Sequence, residues 1–256
     1  MRRVAVKIAY FGDEFAGSQV QPGLRTVEGD VLMDLKKIGD IDDRAIDLKA
    51  ASRTDRGVNA IGNVVVFNTM FDDNAALLKA LNAVSRGIFY RSIADVDRTF
   101  NPRHAKERVY RYILPSFGMD AEAVKECASL FVGTHDFARF CKHDERPTVT
   151  DIHSVTVNED TGIFILEFRS EYFLWNQIRR MVAAISSVGW GDSDIEDVKR
   201  ALNGDDISFG VARPDALTLM DVVYDNVAFL PADGLGPRAG EKRFELILRS
   251  MFLDSL

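Results

Sequence analysis

The strongest constraint on what this chain can fold into is an order of hydrophobic periods that occurs twice. Val4, Val6, Ile8 and Tyr10 alternate with Ala5, Lys7 and Ala9, the period-two signature of a strand with one buried face. Gly12, Gly17, Pro22 and Gly23 then mark a loop, and Thr26 is placed to cap a helix whose Val27, Val31, Leu35 and Ile38 form one stripe ending near Gly39. Gly29 inside that helix costs about 1 kcal/mol relative to alanine. Residues 48–51 and Val64, Val65, Val66 and Phe67 read as two strands. Asn74 can cap a helix through Val84 with Leu77, Leu78 and Leu81 inward, and residues 88–96 give a further strand.

After Asn101-Pro102 the order begins again. Val109 and Ile113 lie on a strand, Ala121, Val124, Ala128 and Phe131 form a helix stripe, and residues 152–157 and 163–169 form a strand pair. A long helix is expected from about Leu174, with Ile178, Met181, Val182 and Ile185 on one face and Gly189 as its stop. Ser193-Asp194-Ile195-Glu196 reads as a capping box for a short helix closed at Asn203-Gly204, and residues 217–224 supply a last strand. Two successive β-α-β-β-α-β units are the split, ferredoxin-like pattern. The expected fold is therefore α+β, with two tandem ferredoxin-like halves, residues 1–100 and 101–256, whose sheets join and leave a cleft between them. Letter identity between the halves is too low to call a repeat.

Between the second and third strands expected in the first half lies a polar elbow, Ala50-Ala51-Ser52-Arg53-Thr54-Asp55-Arg56-Gly57-Val58-Asn59-Ala60. One carboxylate, Asp55, sits between two guanidinium groups, and Gly57 can take a positive φ where the chain turns. A cation within a few ångströms favours the charged form of a carboxylate, which makes Asp55 a candidate nucleophile rather than a proton shuttle. Taken alone the elbow reads more readily as an ordinary turn with solvated charges, since Thr-Asp-x-Gly is common turn chemistry, so the rest of the chain has to shift the balance.

The chain of 256 residues, 46% apolar, can bury one large core or two small ones. It contains no run of eighteen apolar residues, and Met1-Arg2-Arg3-Val4 enters a strand alternation at once, so a cytoplasmic protein without a membrane span is expected. Cys127 and Cys141 have no paired spacing and read as reduced thiols; His135, His143 and His153 have no known ligand spacing, so no metal site is expected. No glycine-rich phosphate loop follows a strand, and no G-x-S-x-G occurs.

Net charge is −7, yet Arg98, Arg103, Lys106, Arg108 and Arg111 face only Glu107 within one segment. That segment suggests a restricted polyanion-binding face on an acidic protein. Within Arg108-Val109-Tyr110-Arg111-Tyr112 the two tyrosines share a strand face with Arg108. Tyr110 reads as a platform for an unstacked base, whereas Tyr112 reads as a core cap with a wet hydroxyl. Arg179 follows the buried stripe residue Ile178, and a cation there needs a carboxylate partner; Arg180 reads as a snorkelling side chain.

These motifs together resemble the tRNA pseudouridine synthases of the TruA type. Ser52-Arg53-Thr54-Asp55-Arg56-Gly57-Val58 is similar to the family's G-R-T-D-x-G-V-H box. Residues 100–105 leading to Arg108-Val109-Tyr110-Arg111-Tyr112 resemble F-x-A-R followed by R-x-Y-x-Y, residues 173–182 resemble F-[LV]-x-x-M-[VI]-R-x-[IM]-V, and residues 217–222 resemble the closing strand. Gln19 and Gln21 sit where the family has Q-x-Q, after Tyr10-Phe11-Gly12. The matches run in family order over nearly the whole chain. Four residues depart from the pattern: Ser18 stands for Trp, Ser52 for Gly, Arg56 for a small residue and Asn59 for His.

The resemblance implies two ferredoxin-like halves with the catalytic cleft between them, usually a homodimer. It also implies isomerisation of uridines at positions 38, 39 and 40 of the tRNA anticodon arm. Carried over residue by residue, Asp55 is the nucleophile, Arg53 displaces and holds the flipped nucleotide, Tyr110 stacks on the target base, and Arg179 pairs with Asp55. Arg103, Arg108 and Leu217 fall at substrate-binding positions. Exchanging a C1′–N1 bond for a C1′–C5 bond involves no net redox change, so no cofactor is required. Attack at C1′, attack at C6 and a glycal path all remain open to a carboxylate. A non-catalytic RNA-binding module of the same fold would use the same basic face and Tyr110. It would not need Arg53, Asp55 and Arg179 together. A carboxylate-dependent glycosidase would need a second acidic residue near the elbow, and none suggests itself.

Overall fold

The computed structural model describes residues 1–39, 45–234 and 237–253. In chain order the elements are β1 (Arg2–Tyr10), α1 (Val27–Lys37), β2 (Lys49–Ala50), β3 (Asn59–Thr69), α2 (Asn74–Val84), β4 (Phe89–Val96), β5 (Glu107–Pro115), α3 (Ala121–Ser129), β6 (Gly133–Asp136), β7 (Val149–Ile152), β8 (Ser154–Asp160), β9 (Ile163–Ser170), α4 (Gln177–Trp190), α5 (Ile195–Leu202), β10 (Leu217–Val223), β11 (Leu230–Pro231) and α6 (Pro237–Leu253). The class is mixed α+β. No described helix is long and apolar enough to cross a membrane.

The chain forms two compact units. Residues 1–54, 61–103 and 226–256 make the first, and residues 55–60 and 104–225 the second. This differs in two places from a division near residue 100. The elbow from Asp55 onward belongs with the second unit, because Asn59 and Ala60 pair in parallel with Thr218 and Leu219 of β10. The C-terminal segment belongs with the first, where Leu230 and Pro231 of β11 pair with Ile93 and Ser92 of β4.

In the first unit the strands run β11-β4-β1-β3, with the two-residue β2 against β3. Val4, Val6 and Ile8 of β1, Val64 to Phe67 of β3 and Tyr90 and Ile93 of β4 are buried, together with Val31, Leu35, Leu77 and Leu81 from α1 and α2. Thr26 caps α1, its hydroxyl accepting from the Gly29 N–H at 3.2 Å. A Cβ on Gly29 would lie 2.9 Å from that hydroxyl. The cap contributes about 1 kcal/mol, roughly what glycine costs inside a helix. Asp73, rather than Asn74, caps α2: its carboxylate accepts from the Ala76 N–H at 2.6 Å, while Asn74 is the first helical residue.

In the second unit the order is β10-β5-β9-β8, all antiparallel, with β6 and β7 as a separate pair. The strand expected over 152–157 is interrupted at His153 and shared between β7 and β8. Phe131, Phe137, Phe140, Phe164 and Phe168 are fully buried with Met181, Val182 and Ile185 of α4. Both cysteines are free and buried, and burial pushes the Cys127 thiol up to about 12.

Three helix boundaries differ from expectation for local reasons. Helix α4 opens at Gln177 rather than Leu174, because Asn176 before it takes a left-handed φ of +62°. It stops at Gly191, whose φ is +76°; Gly189 is helical and buried, and a Cβ there would lie 2.6 Å from Val124 Cγ2 of α3. The capping box of α5 is one residue later than read, the Asp197 carboxylate accepting from the Asp194 N–H at 3.2 Å. Helix α6 was not expected at all. Its Phe244, Ile247, Leu248 and Met251 recur at helical i, i+3, i+4, i+7 spacing and remain exposed.

The α3–α4 contact yields the first prediction. Gly189→Ala destabilises the protein by about 1–3 kcal/mol, the usual range for overpacking. The double variant with Val124→Ala is less destabilised than the sum of the two single changes. Urea denaturation checks this; strict additivity would show that the two side chains do not meet.

Candidate active site

The elbow closes on itself through the Val58 N–H, which donates to the Asp55 carbonyl at 3.1 Å. Gly57 has φ +86°, and a Cβ there would meet Pro214 Cγ at 2.9 Å, so both backbone and neighbour call for glycine. Val58 is buried, and the Asn59 amide donates to the Asp215 carbonyl at 2.8 Å. These contacts hold the turn from its C-terminal side and leave the Asp55 side chain 37% exposed.

Two groups of the second unit reach that carboxylate. Arg179 Nη1 lies 3.7 Å from Asp55 Oδ2, and Trp175 Nε1 donates to Asp55 Oδ1 at 3.1 Å. Arg179 is well engaged elsewhere: its Nε donates to the Ala212 carbonyl at 2.7 Å and its Nη1 to Asn176 Oδ1 at 3.2 Å. At 3.7 Å its contact with Asp55 is ionic rather than a directed hydrogen bond. For a pair this exposed the stabilisation is about 0–1 kcal/mol. Its consequence is therefore a local positive charge, not fold stability.

The segment that presents these two residues is tightly specified. The Leu174 N–H donates to Gln177 Oε1 at 2.7 Å, and the Lys142 N–H donates to the Trp175 carbonyl at 2.7 Å. A left-handed residue costs about 1–2 kcal/mol for most side chains and less for asparagine, which suits position 176. Lys142 Nζ lies 3.8 Å from the centroid of the Trp175 indole.

Tyr110 is 7% exposed and meets Phe173 edge to face, with centroids 5.3 Å apart. Tyr112 is buried, as expected of a core cap, but its hydroxyl is not wet: it donates to the Arg213 carbonyl at 3.2 Å. Leu217, also buried, pairs with Tyr112 across β10 and β5.

Arg108 requires a correction. Expected among cations facing solvent, it is only 6% exposed and donates to the Glu171 carbonyl. Burial holds its guanidinium below the usual arginine range. In the same segment Lys106 pairs with Asp225 at 3.0 Å and Arg111 with Glu167 at 3.3 Å. The basic run of letters is thus not one continuous cationic face within the second unit.

Thr54, which precedes Asp55 in the chain, belongs to the first unit. Thr54 is buried, its N–H donating to Ser18 Oγ at 2.8 Å and its carbonyl accepting from the Ser18 N–H at 3.0 Å. Tyr10 Oη lies 2.8 Å from Thr54 Oγ1 and accepts from the Asn63 amide at 3.1 Å. Burial pushes the Tyr10 phenol up to about 12, so it stays a neutral hydrogen-bonding group. Arg53 and Arg103 are exposed and both act on Glu28, lowering its carboxyl against a larger upward push from burial.

Trp175, Lys142 and the Tyr10–Ser18–Thr54 network are the residues that sequence reading missed. Of these only Lys142 lies outside the segments already singled out; Trp175 sits four residues before Arg179, Thr54 in the elbow, and Tyr10 and Ser18 at the loop that resembles the family's.

Residues 127–225 match the family model described as tRNA pseudouridine synthase. A tRNA pseudouridine synthase A of Pyrococcus abyssi is 42% identical over 231 residues, covering 89% of this chain and 86% of that protein. The Pyrococcus furiosus protein of the same name is 40% identical over 234 residues, 89% of this chain and 85% of its own. That of Methanosarcina acetivorans is 35% identical over 254 residues, 96% and 94%. Among solved structures, a pseudouridylate synthase aligns with a TM-score of 0.34 at 12% identity, over 71% of this chain and 58% of that one, too distant to bear on the site. With relatives this similar over nearly its full length, the chain belongs to the tRNA pseudouridine synthase A family.

Proposed function

We propose that this protein isomerises uridine to pseudouridine in the anticodon stem-loop of tRNA, at positions 38, 39 and 40, with Asp55 as the nucleophile. The observation that carries the reading is the Asp55 carboxylate, half exposed, with Arg179 at 3.7 Å on one oxygen and an indole N–H at 3.1 Å on the other. The names of the relatives supply the substrate class. The similar strand order in the two units, β1 between β4 and β3 and β5 between β10 and β9, supports the tandem ferredoxin-like arrangement.

The chemistry asks little beyond that carboxylate. The target base leaves its stack at a cost of a few kcal/mol in a duplex and less in a loop. Arg53, exposed beside the nucleophile in sequence, takes the place of the lost neighbours. Tyr110 bounds the base. Asp55 then assists cleavage of C1′–N1; the uracil turns, C1′–C5 forms, and the C5 proton is lost as N1 regains one, leaving an isomer of the starting nucleoside. No redox cofactor enters that balance. Cations on the protein displace counterions from the RNA, so affinity falls as salt rises.

Asp55→Asn keeps tRNA binding and loses turnover by at least about a thousandfold, the scale seen when a nucleophile is removed. Unmodified tRNA transcripts, with pseudouridine mapped by chemical adduct and primer extension, measure it. Appreciable product from the variant, or none from the wild type, sinks the assignment, the latter in favour of an RNA-binding module. Arg179→Met lowers kcat about tenfold or more with little change in RNA affinity, since the lost charge faces Asp55. An unchanged kcat would remove Arg179 from the reaction.

The family resemblance also carries a homodimer into the proposal. Helix α6 supports it with Phe244, Ile247, Leu248 and Met251 between 45% and 62% exposed, more apolar surface than an isolated helix usually leaves in water. Light scattering behind a sizing column should give twice the 28.6 kDa chain mass; a monomer at micromolar concentration would contradict it.

A further inference from the structure

Trp175 combines exposure with restraint. Its side chain belongs to a residue 41% exposed, a setting in which an indole ordinarily samples several rotamers. Yet its Nε1 donates to Asp55 Oδ1 at 3.1 Å, Lys142 Nζ sits 3.8 Å from its ring centroid, and its carbonyl is held by the Lys142 N–H at 2.7 Å. The residues on either side are fixed as well, Leu174 by the Gln177 side chain and Asn176 in a left-handed turn.

Restraint of this kind has a direction. Arg179 supplies charge to Asp55 from 3.7 Å while its Nε and Nη1 are directed at Ala212 and Asn176. It therefore does little to choose the rotamer of the carboxylate. The indole N–H has a single donor and a single line of approach, so it does choose.

Building on the reading of Asp55 as nucleophile, we infer that Trp175 is a positioning residue for the reaction, its N–H fixing one carboxylate oxygen so that the other is presented to the uridine. Lys142 holds the indole in that pose through its charge above the ring and its backbone N–H. The residue touches no reacting atom; it acts through Asp55.

Two measurements test this. Trp175→Phe keeps a smaller aromatic ring beneath Lys142 and removes the N–H; kcat falls about tenfold, as for loss of one hydrogen bond to a charged group, while KM for tRNA stays within about twofold. Separately, Trp175 and Trp190 are the only tryptophans. In a Trp190→Phe background, Trp175 emission should shift when Asp55→Ala removes the acceptor. That comparison keeps Trp175 in place and needs no catalysis. Wild-type kcat in Trp175→Phe, a loss confined to KM, or emission indifferent to Asp55→Ala overturns the inference. If Asp55→Ala is inactive while Trp175→Phe is unimpaired, only the positioning role fails; if Asp55→Ala turns over normally, the nucleophile assignment fails with it.

Discussion

The second unit brings a carboxylate on a tight turn to an indole and a guanidinium that lie about 120 residues further along the chain. Local propensity cannot produce such a meeting. It depends on the start of β3 pairing in parallel with β10 while β10 pairs antiparallel with β5, which carries Tyr110. Asn59 and Gly57 then fix the turn against residues 214–215, and Ala212 in the same loop holds the Nε of Arg179. One loop, residues 212–215, thus anchors both the turn bearing the carboxylate and the cation beside it. A strand register shifted by one residue would turn Tyr110 and Leu217 to the opposite faces and dissolve the arrangement.

The electrostatics favour orientation over strength. An ion pair at 3.7 Å with an Asp side chain 37% exposed is screened by water, and its contribution to folding is small. What Asp55 gains is a cation held close to its carboxylate rather than a contribution to folding. Arg108 shows the opposite use of a guanidinium. Buried and bonded to a carbonyl, it ties β5 to the residue that follows β9.

The alternation of Val4 to Tyr10, the α1 stripe and the apolar face of α4 were legible because each is a period set by backbone geometry. What the letters concealed was set by single atoms. Gly189 reads as a helix stop, but its missing Cβ makes room for Val124 from another helix. The α4 start was misplaced because a left-handed Asn176 looks like any helical asparagine on paper. At the site, Asp55 and Arg179 stood out through the family's motifs, whereas Trp175 did not, since nothing in a sequence marks which tryptophan N–H will find a carboxylate. The basic segment misled for a related reason: charge in a row of letters says nothing of burial, and Arg108 is buried.

The four departures from the family pattern can be weighed by what their atoms do. Ser18 accepts from the Thr54 N–H and donates its own N–H to the Thr54 carbonyl, clamping the residue immediately before Asp55. A tryptophan at position 18 could not accept that bond through its side chain, because an indole only donates. Ser52 keeps its carbonyl on the Asn63 amide, a contact that any residue type can make. Asn59 spends its amide on the Asp215 carbonyl and so belongs to the support of the turn. Arg56 alone is exposed at the tip, adding a cation next to Asp55 where the family pattern has a small residue. Two of the four side chains, Ser18 and Asn59, therefore act on how the turn is held, Ser52 contributes there only through its backbone carbonyl, and Arg56 changes the charge an incoming polyanion would meet.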